Sequence, residues 1–330
     1  MKKLLIASTA LTLSAGVAAA DVTFSGDARF GINYNSAPAI GGSNVTTTTN
    51  KTTLEKRYTL NIDASTTADN GVTFGVRQRI RGEDPVAGGR ASALNGTRMF
   101  ARYQGFEVAV GNVLGAVESA PSMYSRGTSL TGLSWTSVVT NVDRGNTSGT
   151  GWFDWDAYSS GGGGNEGVEV LYSAGDFKGH LTHTSNSLRN SAVTGAERTA
   201  AWGSYKFSGW TAVLGFQDSN IATEDKIFAS IDGKVQDFGV GFALARNGEG
   251  ANKINKYVLN GSYTMGATTI GAYIANQSVL PVALTTKGAT KTAYGLGASY
   301  NLGGGASVVG GIERTTQKNT RADLGVSFRF

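Results

Sequence analysis

The sequence predicts an all-β protein: a transmembrane antiparallel β-barrel of about 16 strands, with a long third loop folded into its lumen. Three observations predict this fold. Apolar and polar residues alternate with a period of two along nearly all of the chain from residue 21 onwards. About sixteen such segments follow one another, and most are close to the 9–11 residues that a tilted strand needs to cross a bilayer. Short and long connections alternate between them, as in a meander.

The composition is that of a folded chain with few charges. Of its 330 residues, 40% are hydrophobic and 16% are charged, whereas soluble domains carry about 25% charged residues. The 47 Gly residues follow no three-residue period, which excludes collagen. The chain contains no Cys, which excludes disulfide scaffolds, Cys-based metal sites and Cys nucleophiles.

Residues 1–20 have the layout of a cleaved secretory signal peptide. Lys2 and Lys3 form a basic start, residues 4–17 are mostly apolar, and residues 18–20 supply the small residues of an A-x-A cleavage site. We therefore expect residues 1–20 to be removed and residues 21–330 to form the barrel. Without Lys2 and Lys3, 27 basic residues face 24 acidic ones. This small positive excess does not indicate a nucleic-acid partner.

The first and last strands show the alternation most clearly. Even positions from Val22 to Tyr34 are apolar or small and the odd positions between them are mostly polar, and Ala322 to Phe330 repeat the pattern. The same pattern predicts the other strands, at 54–65, 72–81, 97–104, 106–111, 167–174, 178–186, 198–207, 210–218, 226–233, 235–246, 255–265, 267–276, 292–302 and 306–314.

The connections are of two kinds. Tight turns, at which Gly or Asn can supply the positive φ that such turns need, are predicted at 69–71, 105, 176–179, 208–209, 233–234, 266 and 303–305. Longer polar connections are predicted at 35–53, 82–96, 112–166, 187–197, 219–225, 247–254, 277–291 and 315–319. Such alternation is typical of a membrane barrel, whose strands are joined by short turns on one side of the membrane and by longer loops on the other side.

A large soluble β-sandwich or propeller would also alternate, so that class stays open as a secreted binding protein. The distribution of side chains favours the membrane barrel. Charged residues share the polar face of neighbouring strands, and aromatic residues recur near strand ends on the apolar face, as in two interfacial girdles. These aromatic residues are Phe24, Tyr34, Tyr58, Tyr205, Phe207, Trp210, Tyr257, Tyr263, Tyr294, Tyr300 and Phe330.

The segment 112–166 is far longer than an ordinary loop. It is rich in Gly, Ser, Thr and Asn, and its three Trp residues indicate that part of it packs against other residues. We predict that it folds into the barrel as a constriction loop. Its candidate acidic residues for the pore are Glu118, Asp143, Asp154 and Asp156.

Basic side chains are predicted to face this loop across the lumen. They lie on four sequential, and therefore adjacent, strands, and their positions place them on the polar face: Arg29, Arg57, Arg77, Arg79, Arg81, Arg98 and Arg102. A solvated polar face would explain scattered arginines. Seven on one face favour a functional cluster at the pore.

Three segments resemble general diffusion porins of the bacterial outer membrane, and in particular their alphaproteobacterial branch. These are residues 21–35, the Gly-Asn-Val-Leu-Gly-Ala run at 111–116, and the end of the chain from Tyr294 to Phe330. The resemblance implies a trimeric barrel of sixteen strands whose third loop forms an eyelet. It places Arg57, Arg77, Arg79 and Arg98 on the basic side and Glu118, with Asp143 as a weaker match, on the acidic side. The middle of the loop departs from the acidic character common in that branch, since it is rich in Gly, Ser and Thr.

The function expected from these features is passive diffusion of small hydrophilic solutes and ions through a water-filled pore in the bacterial outer membrane, with a weak preference for anions. A substrate-specific channel of the same architecture is the alternative. The expected partners are outer-membrane lipid, two further copies of the chain in a homotrimer, and the solutes. Phe330 is expected to act as the assembly signal.

Enzymatic activity is not expected. No P-loop or G-x-S-x-G motif is present, and the sequence does not assemble a Ser/His/carboxylate set around His180 or His183. Asp154 and Asp156 begin like a calcium loop, but Tyr158 stands where the next ligand should be. We expect no cofactor, with calcium bound by the loop as the alternative.

Overall fold

The computed structural model describes residues 21–36, 50–83, 93–124, 128–132, 138–139, 155–156, 166–185, 188, 195–221, 223–250, 253–278 and 290–330. They form one antiparallel sheet that closes on itself. The strands are β1 Asp21–Asn35, β2 Thr52–Thr67, β3 Thr73–Glu83, β4 Ala93–Leu94, β5 Arg98–Tyr103, β6 Phe106–Gly111, β7 Gly167–Ala174, β8 Phe177–Thr184, β9 Arg198–Phe207, β10 Trp210–Ser219, β11 Lys226–Val235, β12 Phe238–Asn247, β13 Ile254–Met265, β14 Thr268–Gln277, β15 Thr292–Gly303, β16 Ala306–Arg314 and β17 Thr320–Arg329.

The short β4 and the following β5 both pair with β3, so together they fill one position and the ring has sixteen. The predicted fold class is confirmed. One helical turn, α1 Ala116–Ser119, lies in the segment between β6 and β7. In the described parts of the chain, no helix has the length and hydropathy needed to span a membrane. The predicted signal peptide, residues 1–20, lies outside the described residues and stays a prediction.

The first and last strands close the barrel. β1 pairs with β17 from Asp27 opposite Arg329 to Asn35 opposite Arg321. The backbones of Gly26 and Phe330 exchange two hydrogen bonds of 2.8 and 3.1 Å. The Phe330 ring covers Gly26, where a Cβ atom would lie 2.7 Å from it. Because the backbone groups at both ends of the sheet are paired, no open edge remains there.

The alternation of tight and long connections is confirmed, with two turns misplaced. The turn predicted at 176–179 is at 175–176, since β8 already begins at Phe177, and Gly175 supplies a positive φ of 55°. The sequence predicted a turn at Gly233–Lys234, but β11 continues to Val235 and the turn is at 236–237, where Gln236 has φ 55°. Gly233 has a different role. It lies opposite Trp210, whose ring occupies the space of a Gly233 side chain, 2.5 Å from the ideal Cβ position. The predicted position was wrong because Gly233 was taken as a turn residue, whereas it lies inside a strand and makes room for a neighbouring ring.

Apolar side chains cover the outside of the barrel. In β1, for example, Phe24, Phe30 and Ile32 are exposed and lie on the same face. Ten of the eleven predicted girdle aromatics are likewise exposed, and Trp210 is half-buried. An apolar exterior is stable only in lipid or against another apolar surface.

The inside of the barrel is less uniformly polar than expected. Buried apolar residues of the loop, including Val117, Met123 and Trp155, form one cluster with residues on the inner face of β9 to β15. The strand residues of this cluster are Ala200, Trp202, Val213, Phe228, Ala243, Ala245, Val258, Tyr273, Ala275 and Ala293. The loop is therefore held against that half of the wall by burial of apolar surface.

The loop also reaches the wall near the barrel closure. Leu130 contacts β1 and β17 beside Gly31 and Gly325, and Thr128 lies against Gly297 of β15. The backbone N–H groups of Leu130 and Thr131 donate to the Asp323 carboxylate at 3.0 and 2.7 Å. Glycines on the inner face let the two backbones approach closely at this point.

Candidate functional site: a pore between an arginine wall and the inserted loop

The inner face of β1 to β3 forms the arginine wall, which we define by Arg29, Arg57, Arg77, Arg79 and Arg81. In-register pairing brings these side chains together, since Arg29 is opposite Arg57 and Thr59 is opposite Arg81. The wall is thus built by the period-two alternation that the sequence showed.

Ion pairs mark the two ends of the arginine wall. Towards the long connections, Arg29 Nε donates to Glu55 Oε1 at 2.6 Å. Towards the tight turns, Arg77 Nε donates to Asp63 Oδ1 at 2.6 Å.

Between these pairs, Arg81 Nε donates to Thr59 Oγ1 at 3.2 Å, and Arg79 lies opposite Asn61 in the register. Arg57 is opposite both Arg29 and Glu83, so it lies at the height of Arg29. Arg79 and Arg81 therefore bring positive charge to the middle height of the wall, where Asp27 is opposite Thr59.

Glu118 of α1 is the loop carboxylate that interacts with this part of the wall. It accepts hydrogen bonds from the Tyr124 hydroxyl and, at 2.9 Å, from Trp155 Nε1. Burial raises the pKa of Glu118, while these hydrogen bonds and the positive charges of Arg79 and Arg81 oppose that rise. Burial and the adjacent Glu118 charge also raise the pKa of Tyr124 well above its ordinary value, which keeps this phenol protonated.

The sequence predicted that Arg98 and Arg102 line the pore constriction, but the structure places neither of them there. The Arg98 side chain is only 3% exposed and forms ion pairs with Glu107 and Glu169, so it lies inside the protein and not on an open pore surface. Arg102 is 51% exposed, but it pairs with Glu107 and lies opposite Thr73, near the tight-turn end of the barrel. The even spacing did place both on the inner face, but spacing does not reveal burial or height.

Asp156 is also not on an open surface. It is buried against the opposite wall, where the Thr184 hydroxyl donates to it and Arg198 lies 3.8 Å away. Burial raises the pKa of the Asp156 carboxyl, and the Thr184 hydrogen bond and Arg198 oppose that rise. Its place in the structure is that of a loop anchor. Asp143 and Asp154 lie outside the described residues.

Sequence reasoning missed the group that fastens α1 to the wall. His180 Nε2 is 2.9 Å from Glu169 Oε2, and His180 Nδ1 is 2.6 Å from Ser119 Oγ. Glu169 also accepts hydrogen bonds from Arg98 Nε at 2.5 Å and from the Leu114 backbone N–H at 2.9 Å. The only sequence signal was a carboxylate and a histidine at inward positions of β7 and β8.

These contacts do assemble a Ser/His/carboxylate set, contrary to the sequence analysis. The His180 side chain is completely enclosed, however, and Glu169 is already held by Arg98. The Ser119 hydroxyl accepts a hydrogen bond from Trp202 Nε1 at 3.2 Å. A nucleophile must be reachable by its substrate together with its base, so the arrangement fits an anchor better than a catalytic centre.

A metal centre does not emerge from the described residues, since they contain no group of three or more His, Asp or Glu side chains close enough to share an ion. The sequence contains no Cys.

Comparison with known proteins gives consistent matches. Residues 7–320 match the family model of Gram-negative porins. A porin of Fuscovulum blasticum is 28% identical over 313 residues, which cover 94% of this chain and all of the relative. A porin of Rhodobacter capsulatus is 32% identical over 186 residues, which cover 48% of this chain and 60% of the relative.

Solved structures match over the same range. Two engineered mutants of Rh. blastica porin superpose with a TM-score of 0.76, at 24% and 25% identity. In both cases the match covers 94% of this chain and all of the other. The curated relatives are named as porins, which are channels and not enzymes.

Proposed function

Because the chain belongs to the Gram-negative porin family and is a general diffusion porin, an integral barrel of the bacterial outer membrane, we propose that its selectivity is set at an eyelet. One side of this eyelet is formed by Arg57, Arg79 and Arg81, and the other side by the loop carboxylate Glu118. The observation that carries this proposal is the position of Glu118 on α1, which packs against β8 to β10, across the ring from the arginine wall. The positive charges of Arg79 and Arg81 oppose the rise in the pKa of Glu118, which agrees with this arrangement.

Opposite charges on the two sides of an eyelet create a field across it. Water orients in that field, and a polar solute can replace oriented water at little cost, whereas an apolar solute cannot. The packing of the loop against β9 to β15 supports this picture, because it holds Glu118 in place while the arginine wall belongs to the other half of the ring.

Weak anion selectivity follows from the balance of charges at the eyelet. The arginine wall carries five positive charges. Arg29 and Arg77 form ion pairs with Glu55 and Asp63, Asp27 lies in the register row of Thr59 and Arg81, and Glu118 acts on Arg79 and Arg81 from the loop. Among these described side chains a small positive excess supports the weak preference for anions. Charges more than about 10 Å apart are largely screened at about 0.1 M salt. We therefore expect the preference for anions to fade as the salt concentration rises.

The test is the reversal potential of single channels in a KCl gradient. Replacing Arg79→Gln together with Arg81→Gln should move the selectivity towards cations. Arg102→Gln is the matched control, because Arg102 faces inward but lies at the tight-turn end with Glu107. An equal shift in the control, or none in the double variant, would place the selective charges elsewhere.

We further propose that three copies assemble through their apolar outer walls, with β1 and β17 near the contact. The exposed apolar side chains of these strands, such as Phe30 and Leu324, support such a contact. Electrophoresis in mild detergent should show a heat-sensitive oligomer. A species that migrates only as a monomer under every mild condition contradicts this proposal.

We propose no resident cofactor, and calcium in the loop remains the alternative. Removing divalent cations with a chelator should leave the single-channel conductance unchanged. A change that added calcium reverses would favour a loop-bound ion.

A further inference from the structure

The outer face of β10 to β13 carries an apolar groove that ends at an arginine. The groove has a volume of about 280 Å³, and its lining includes Leu214, Ala229, Leu244, Arg246 and Tyr257. It lies on the far side of the barrel from β1 and β17 in the sheet order.

Strand register explains how the groove forms. Leu214, Ala229, Leu244 and Tyr257 follow one another across four strands. The small Ala229 leaves a depression between the exposed side chains of Leu214 and Leu244, which are 63% and 41% exposed. Such a depression has the width of one strand position and can take one acyl chain.

The next row towards the long connections contains Ile227, Arg246 and Asn255. Arg246 is exposed and lies one residue before the end of β12. It has no hydrogen-bond or ion-pair partner within the part of the chain that the structure describes. Arg314, which also points outwards near the long connections, donates to Thr320 Oγ1 at 2.7 Å.

Arg246 also lines a second, polar pocket of about 500 Å³ on its long-connection side. The charged groups in that pocket besides Arg246 are Asp218, Asp225, Lys226, Glu249 and Lys253. Asp225 already accepts the Ser219 backbone N–H at 2.8 Å. The pocket thus offers donors and acceptors of both signs, and Arg246 joins it to the apolar groove.

A guanidinium at the edge of the hydrocarbon region is costly unless a polar partner meets it. A phosphate group is the partner that its planar fork fits best, through two parallel hydrogen bonds. Within a membrane an acyl chain gains little from leaving other lipid, so shape and the phosphate contact decide which lipid stays.

We propose that this surface is a binding site for a phosphate-bearing lipid of the leaflet at the long-connection end. The phosphate contacts Arg246, one acyl chain lies in the groove over Ala229, and the remaining headgroup atoms enter the polar pocket. This proposal rests on the outer-membrane location and not on the charges of the eyelet.

Native mass spectrometry of the folded protein in detergent tests the proposal, with bisphosphorylated lipid A as the probe. The wild-type protein should retain one lipid per chain, and dephosphorylated lipid A should bind at least about fivefold more weakly. Arg246→Gln and Ala229→Phe should each weaken lipid A binding by a similar factor. Arg314→Gln removes the same charge at the same end of the barrel and should leave binding unchanged.

Three results would overturn the proposed lipid-binding site. Equal binding of lipid A and its dephosphorylated form by the wild-type protein would exclude phosphate recognition, and this comparison needs no variant. Unchanged binding in Ala229→Phe would exclude the groove. Displacement of lipid A by inorganic phosphate alone would show a headgroup contact without an acyl-chain site.

Discussion

Glu169 accepts hydrogen bonds from three parts of the chain. Arg98 of β5, the backbone of Leu114 at the start of the loop and His180 of β8 all meet its carboxylate. Two of these are wall strands and one is the loop, so a single buried charge fixes where the loop leaves the sheet. A buried charge of this kind adds little net stability, but it is costly to disrupt.

Replacing Glu169→Gln should therefore destabilise the barrel strongly. We expect a loss of about 3 kcal/mol, at the lower end of the range for broken buried pairs, because Glu107 remains as a partner of Arg98. Urea unfolding followed by Trp fluorescence measures it. Glu55→Gln is the control, since its pair with Arg29 is partly exposed and should contribute about 1 kcal/mol or less. Equal losses would show that burial is not the deciding factor.

Glu118 should make selectivity depend on pH. Because burial raises its pKa, Glu118 takes up a proton at a higher pH than an exposed glutamate does. Acidification from about pH 7 to about pH 4.5 then removes a negative charge from the eyelet while the arginines stay charged. Preference for anions should rise over this interval.

The control for this pH dependence is Glu118→Gln, which cannot titrate. Its reversal potential should already resemble that of the acidified wild type and should change less on acidification. If both proteins respond equally, other carboxylates control the pore.

At the scale of elements, the loop meets the wall where glycines leave room for its backbone. A Cβ atom at Gly297 would collide with the Thr128 carbonyl, and one at Gly311 would lie 2.8 Å from the same oxygen. These glycines are needed for close approach, since neither has a positive φ. Close by, the backbone N–H of Leu130 in the loop donates a hydrogen bond to Asp323 of β17.

Gly297→Ala should dislodge this part of the loop without unfolding the barrel. Overpacking of this kind costs about 1–3 kcal/mol. We expect the loop to shift and not β15, because β15 is hydrogen-bonded to a strand on each side. We expect altered or fluctuating single-channel conductance and a lower unfolding temperature. Gly261→Ala is the control, because the nearest atom to its Cβ would be 3.6 Å away. Normal, steady conductance in Gly297→Ala would mean that the loop does not press on β15.

Strands could be predicted from the sequence and loop contacts could not, for a physical reason. The alternation of apolar and polar residues is a local pattern. A shift of one residue in register would turn the apolar side chains of β1 into the lumen, so the pattern determines which side chains face the lipid and which face the lumen. The contact between Leu130 and Asp323 joins residues 193 positions apart. No local pattern reports such a pair, which is why Asp156 was assigned to the pore although it anchors the loop.

For the whole molecule, closure depends on the pairing of its two terminal strands. The backbone bonds between Gly26 and Phe330 complete that seam, while the Phe330 ring is 60% exposed on the outside. An exposed terminal ring adds little to the stability of a barrel that backbone pairing already closes. It is well placed, however, for recognition before the barrel has formed.

Phe330→Ala separates these two roles. The variant keeps both backbone hydrogen bonds, so we expect purified protein to refold in detergent with an unfolding temperature close to that of the wild type. In cells, the amount of folded protein in the outer membrane should fall several-fold if Phe330 is the assembly signal. Phe328→Ala is the matched control, because its ring lies 6.3 Å from that of Phe330 on the same strand. Equal losses in cells for both variants, or failure of Phe330→Ala to refold in vitro, would assign the terminal ring to stability and not to recognition.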